Sequence, residues 1–199
     1  MKKIFFLLLL PVCSWAQFTA GNIFIGGSFG ISNQNNNITS NLYSLNQSFN
    51  VNPSIGFFVK DNLAIGVRLG YSKSYQEYQN NNQKSYNSES PSGGFFARRY
   101  FSISEKFLFA VDGYVNYSRT TATYTFFNGN PTEYEFKSYG VTAQITPTFL
   151  YLPSERWGIE ASIGSLSFAH TYSFTNEINS NAFNFNYGSF ALGFAYYIR

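Results

Sequence analysis

Apolar residues recur at every second position in stretch after stretch of this 199-residue chain. Period two is the spacing of a β-strand, whose successive side chains point to opposite faces. The last stretch, SFALGFAYYIR, is the cleanest: Phe190, Leu192, Phe194, Tyr196 and Ile198 share one face, and Ser189, Ala191, Gly193, Ala195 and Tyr197 the other. Within this stretch no charge precedes Arg199. A soluble sheet sets its bulky apolar face on a core and a charged face in water, whereas a bulky apolar face backed by small residues suits a wall with lipid outside and a crowded interior. About ten residues of such alternation is the length that crosses a bilayer as a tilted strand.

Seven earlier stretches repeat the pattern. The outward sets are Ile23, Ile25, Phe29 and Ile31; Phe49 to Val59 in odd steps; Leu63 to Tyr71; Phe95, Ala97, Phe101 and Ile103; Phe107 to Tyr117; Tyr139 to Tyr151; and Trp157 to Ile163. Pro53 removes one ladder donor and predicts a bulge or irregular point. Arg99 falls among the outward residues of its strand, so it should lie near an interface, where a cation costs little. Phase slips at Ser165 to Phe168 and at Gly188 predict bulges. The strand beginning at Phe107 runs on to about Phe126, longer than the apolar band requires.

Tight turns fall at Lys60-Asp61-Asn62, Ser104-Glu105-Lys106 and Pro153-Ser154-Glu155-Arg156. Polar, aperiodic runs alternate with them and read as outer loops: Ser32 to Gln47, Lys73 to Ser92, Asn128 to Pro131, and Asn176 to Ala182. The predicted fold is all-β, an eight-stranded antiparallel up-and-down transmembrane β-barrel with both termini on the short-turn side. Phe101, Tyr151, Trp157 and Tyr196 would form an aromatic girdle at that end.

At the N-terminus, Lys2 and Lys3 precede the apolar run Ile4 to Leu10, and Ser14-Trp15-Ala16 follow it. That is the arrangement of a secretory signal peptide over residues 1–16, leaving residues 17–199 as one barrel domain. Cys13 would leave with the signal; Val12 in front of it is not the small residue that a lipidated cysteine usually follows. Without Lys2 and Lys3 the basic and acidic residues nearly balance. No basic stripe is available for nucleic acid. Aromatics make up 21% of the chain against 12% charged residues, a balance expected when girdles and an apolar band face lipid.

The runs Phe96-Ala97-Arg98-Arg99-Tyr100-Phe101, Ile145-Thr146-Pro147-Thr148-Phe149-Leu150-Tyr151, Ile159-Glu160-Ala161-Ser162-Ile163-Gly164 and Leu192-Gly193-Phe194-Ala195-Tyr196-Tyr197-Ile198 carry a family resemblance. With them the chain resembles the outer-membrane β-barrel domain family abundant in Bacteroidetes-type Gram-negative bacteria, porin-like relatives in architecture of small OmpX- and OmpA-like barrels. The resemblance spans residues 17–199. It departs at the end, where Arg199 replaces the terminal Phe of many such proteins. It implies a place in the cell outer membrane, with membrane lipid and the barrel-assembly machinery as partners, and no particular activity.

Four charged residues fall on the inward faces: Arg68, Arg98, Asp112 and Glu160. With Glu105 centring its turn, Arg98 and Asp112 sit opposite each other across the hairpin, at the depth of Arg68. They predict a lumen network of two cations and two anions that fills a narrow barrel. His170, Ser173 and Glu177 are the residues that an outer-leaflet lipid-modifying enzyme would use, though their spacing does not match such enzymes. No Cys/His cluster, carboxylate-rich loop or phosphate loop implies a metal or cofactor. Gly26-Gly27-Ser28-Phe29-Gly30 reads as close strand packing. The expected function is a non-catalytic structural or interaction barrel with a filled lumen. Alternatives are a narrow channel for small solutes, an enzyme at His170, and a soluble secreted ligand-binding barrel.

Overall fold

The computed structural model describes residues 18–39, 42–79, 84–126 and 132–199. The alternating stretches form eight strands: β1 (Ile23–Thr39), β2 (Leu42–Lys60), β3 (Leu63–Gln79), β4 (Lys84–Ser102), β5 (Phe107–Phe126), β6 (Thr132–Tyr151), β7 (Trp157–Ser173) and β8 (Ile178–Ile198). Each pairs antiparallel with its neighbour in sequence, and β8 returns to β1 to close the barrel. The rungs climb as they go round. From Tyr196 on β8 they run through Ile25, Ile55, Val67, Phe95, Val115, Ala143 and Phe168, and arrive back on β8 at Phe183. This stagger is what closing a tilted sheet demands.

The bulky residues clothe the cylinder. Phe194 is 48% exposed and Tyr197, three residues on, is fully buried. Ile25, Phe57, Ile65, Val67, Phe95, Phe149, Ile159 and Ile198 are all exposed on the outer wall. Arg99 is also outward, paired with Leu63 next to the first tight turn, and its Nη1 donates to the Asp61 carbonyl at 3.0 Å. It therefore sits at an end of the apolar band, where its charge is cheap.

Inside, the short-turn end is plugged by rings. Phe18, ahead of β1, lies 4.4 Å from Tyr197 and 4.9 Å from both Phe58 and Tyr100, centroid to centroid. Phe24, Leu108, Leu150 and Leu152 complete the cluster. The chain end is tied in by backbone bonds, Gly21 N donating to Phe58 O and Asn62 N to Phe18 O. Asn62 itself takes the left-handed turn conformation at φ 58°.

The polar runs are corrected. Ser32 to Gln47 and Lys73 to Ser92 are not loops: β1 continues to Thr39, β2 starts at Leu42, β3 reaches Gln79 and β4 starts at Lys84. Asn176 to Ala182 is mostly strand, β8 beginning at Ile178 after a turn that carries Glu177 at φ 54°. Asn128 to Pro131 lies outside the described residues. Strands of 17 to 21 residues, at about 3.3 Å each, far exceed the roughly ten that cross a bilayer. Above the apolar band both faces of the sheet are polar, so alternation vanishes while the ladder continues. Pro53 opens no bulge; the β2–β3 ladder omits the Asn52 and Pro53 rungs without changing register. The slip expected at Ser165 to Phe168 begins at Gly164, which has φ 69°, and the β7–β8 register shifts between the Ile163–Phe190 and Ser165–Asn186 rungs. Three β8 residues there oppose one on β7, a bulge that includes Gly188. The side chain of Phe190 lies outside the described residues.

Candidate functional site

Arg98 and Asp112 are directly opposite on the β4–β5 ladder, and both point into the lumen. The guanidinium fork meets the carboxylate with both of its donors: Nε lies 2.5 Å from Oδ1 and Nη2 3.1 Å from Oδ2. Its third donor, Nη1, reaches across the lumen to Glu160 Oε1 on β7 at 2.5 Å. Thr148 Oγ1 donates to Asp112 Oδ2 at 3.0 Å and shares a second hydrogen bond of 3.0 Å with Ser162. Arg98, Asp112 and Glu160 are 4%, 2% and 9% exposed. Planar, bidentate pairing of this kind is the form in which a buried charge pair is best satisfied.

The cluster is one cation and two anions, a correction to the balanced set of four. Arg68 lies at the expected depth but turns away: its guanidinium rests 4.9 Å from the Tyr114 ring centre and 5.5 Å from that of Phe96. Among the described residues no carboxylate is within ion-pair distance of it. A position on an inward face fixes depth but not direction, which is why the sequence could not separate Arg68 from the pair.

Arg68 and the cluster border one small cavity, of about 60 Å³, with Ser28, Asn52, Ser54 and Gly193 among its other walls. The volume is that of about two waters. Below it the aromatic plug shuts the barrel. Inward Phe24, Phe58, Tyr100 and Tyr197 were legible from the alternation, but Phe18 belongs to no strand and carried no signal.

On the outer wall at the short-turn end, Trp157 packs edge-on to Tyr196 at 5.0 Å, Tyr151 lies 4.8 Å from Phe107, and Phe101 lies 6.1 Å from Phe109. A second ring of aromatics, not singled out from the sequence, marks the other edge of the apolar band. Tyr139 lies 6.1 Å from Tyr117, 5.4 Å from Tyr172 and 5.2 Å from Phe174.

His170 points outward, its Nδ1 2.8 Å from Asn181 Oδ1 across the β7–β8 ladder. Ser173 lies on the opposite, inner face, lining the upper barrel mouth with Thr171 and Ser138. Glu177 is in the turn beyond. The three do not converge on one point. Among the described residues no group of three or more His, Cys, Asp or Glu is placed to hold a metal ion.

No family model matches the chain, and no curated protein does. Among solved structures it is similar to the attachment invasion locus protein Ail of Yersinia pestis (13% identity, 90% of this chain and 100% of that one, TM-score 0.43). It is also similar to a major outer membrane protein from Thermus thermophilus (11% identity, 88% of this chain and 99% of that one, TM-score 0.47). A third is the N-terminal β-barrel domain of Pseudomonas aeruginosa OprF (16% identity, 90% of this chain and 98% of that one, TM-score 0.33). At these identities and scores the likeness assigns no activity, and the barrel is established by its own closed ladder.

Proposed function

We propose that the chain is a non-catalytic barrel of the outer membrane. Its lower half anchors in lipid, and its long upper strands carry Asn-, Ser- and Tyr-rich walls out to meet the environment. The observation that carries this reading is the inversion of the wall: apolar residues exposed around the girth, charged ones buried at its centre. A water-soluble barrel would be built the other way round. The interior supports an anchoring and presenting role over transport. An aromatic plug and a three-residue charge cluster occupy the bore, with a small cavity of about 60 Å³ beside the cluster. Processing after Ala16, insertion by the barrel-assembly machinery and contact with outer-membrane lipid belong to the same reading. The test is to fractionate the envelope and insert the purified barrel into a planar bilayer. Outer-membrane recovery with heat-modifiable migration and no steady conductance is expected. Recovery in the soluble periplasmic or secreted fraction would sink the proposal, and stable channels would replace it with the narrow-pore alternative.

A further inference from the structure

Seven of the eight seams are zipped along most of their length, from the short turns to the far ends of the strands. The β1–β8 seam holds for six rungs, from Ile23–Ile198 to Ser28–Gly193, and no rung joins the two strands above that. Crossing the apolar band takes about ten residues, so the strands part inside it. Phe29 and Ile31 on β1 are 56% and 76% exposed, and Phe185 and Tyr187 on β8 are 70% and 83% exposed. A bulge on β8 opposite Gly164 lies just above the last rung and bends the strand away from β1. Its register depends on that glycine, because a Cβ at φ 69° would come within 2.6 Å of the Asn186 carbonyl.

Backbone N–H and C=O groups cannot rest unmet against hydrocarbon, and lipid tails offer neither donor nor acceptor. A strand edge in the band is therefore covered by another strand. Edges meant to stay single are guarded by charges and prolines. β1 and β8 have no such guard: neither Ile23–Thr39 nor Ile178–Ile198 contains Asp, Glu, Lys, Arg or Pro, whereas each of β2 to β7 carries at least one charged residue. The two uncharged strands are the two that flank the open seam.

Strand direction selects the occupant. β1 climbs from the short-turn end and β8 descends to it, the two running antiparallel. A single strand wedged between them would lie antiparallel to one prong and parallel to the other, the weaker pairing. A second copy with the same orientation in the membrane meets both prongs at once. A two-fold axis along the membrane normal sets its β8 beside this β1 and its β1 beside this β8, and both new seams are antiparallel. Such a contact is self-complementary and closes at two copies.

We propose that the β1–β8 fork is a dimer interface, at which two copies of this chain exchange strand edges above the Ser28–Gly193 rung. Below that rung each copy keeps its own eight-stranded barrel with its aromatic plug. Above it the two walls join into one ring, eight strands from each copy. Phe29 of one copy meets Leu192 of the other in the rung that the seam within the chain leaves unmade, and the exposed rings of Phe29, Phe185 and Tyr187 gain cross-strand neighbours on the outer wall. Both lower ends stay plugged, so the dimer does not conduct. This proposal rests on the reading of the barrel as membrane-embedded.

The test uses the chain in phosphatidylcholine vesicles, with single cysteines in a Cys13→Ser background. F29C and L192C are mixed and oxidised, one of them carrying an affinity tag so that mixed dimers have their own mass. A disulfide-linked mixed dimer is expected, and its loss is expected when V67C, an outward residue of similar exposure on β3, replaces L192C. Mixed dimers no more abundant with L192C than with V67C, or F29C cross-linking to itself as readily as to L192C, would each overturn the proposal. Deuterium exchange at Asn33 and Gln34, both exposed on β1 above the parting, reads the edge itself. Protection that rises with protein density in the vesicle is expected. Protection at every density would mean that β1 and β8 close on each other, and protection at none would give the edge to a different partner; either result overturns the proposal. Heat-modifiable migration of the same samples separates failure of the dimer from failure of the membrane reading, since only the latter removes the folded, vesicle-bound form.

Discussion

Arg98→Met is the most informative single substitution in the lumen. Methionine keeps much of the side chain's bulk and removes every donor, leaving Asp112 at 2% and Glu160 at 9% exposure without a countercharge. Three charge-assisted contacts vanish together, those of Nε and Nη2 with Asp112 and of Nη1 with Glu160. Removing one partner of a buried ion pair costs about 3 to 5 kcal/mol, most of it the penalty of stranding the other. Two stranded carboxylates place this case toward the upper end, roughly a few thousandfold in the unfolding equilibrium. The triple variant R98M/D112L/E160L removes all the charges at once and should recover most of the loss, because a desolvated ion pair and an apolar replacement differ little. Urea titration of the barrel in phosphatidylcholine vesicles, followed by tryptophan fluorescence and by heat-modifiable migration, measures both. A loss below about 1 kcal/mol for R98M, the value of an exposed pair, would refute the buried network. So would a triple variant as unstable as the single one.

Phe18→Ala removes the ring stacked between Tyr197 and Phe58 and should cost about 3 to 5 kcal/mol in the same titration, as a cavity in the plug. V67R sets a cation among outward residues at mid-band and should cost about 2 to 4 kcal/mol, whereas R99L, at the band's edge, should change stability by less than about 1 kcal/mol. Lys73 and Glu89 pair at 2.7 Å above the band. Their hydrogen bond and mutual attraction hold the Glu89 carboxyl below its ordinary range and the Lys73 ammonium above its own. Any contribution of the pair is therefore present above the unfolded carboxylate value and is lost as pH falls through the lowered Glu89 value; at the alkaline end it is lost as pH rises through the raised Lys73 value. An NMR titration should find Glu89 shifted down in the intact chain and moved back toward its ordinary range in Lys73→Ala, where the Tyr71 hydrogen bond remains.

The lower half of the barrel was readable in the sequence because lipid and lumen impose opposite demands on alternate residues. From Leu63 to Leu69 or from Phe107 to Val111 the side of every residue follows from parity alone. The upper halves were unreadable for the complementary reason. In Ser32 to Thr39 or Lys84 to Ser92 polar residues dominate both alternating sets, Asn and Ser are poor strand formers, and only the partner strand holds the segment extended. The Arg98–Asp112 pair followed from counting outward from Glu105. Glu160 joins them across the bore, 62 residues from Arg98, and such a contact depends on barrel closure and not on any local pattern.

The central claim is that the bulky face meets lipid, and accessibility of single spin labels measures that most directly. In a Cys13→Ser background, with the barrel in phosphatidylcholine vesicles, labels at Val67, Ile159 and Phe194 should be relaxed strongly by oxygen and hardly at all by a water-soluble nickel chelate. A label at Asn46, in the upper part of β2, should give the reverse. Nickel access at Val67, Ile159 and Phe194 equal to that at Asn46 would mean that the girth is bathed in water, and the account would be wrong at its foundation.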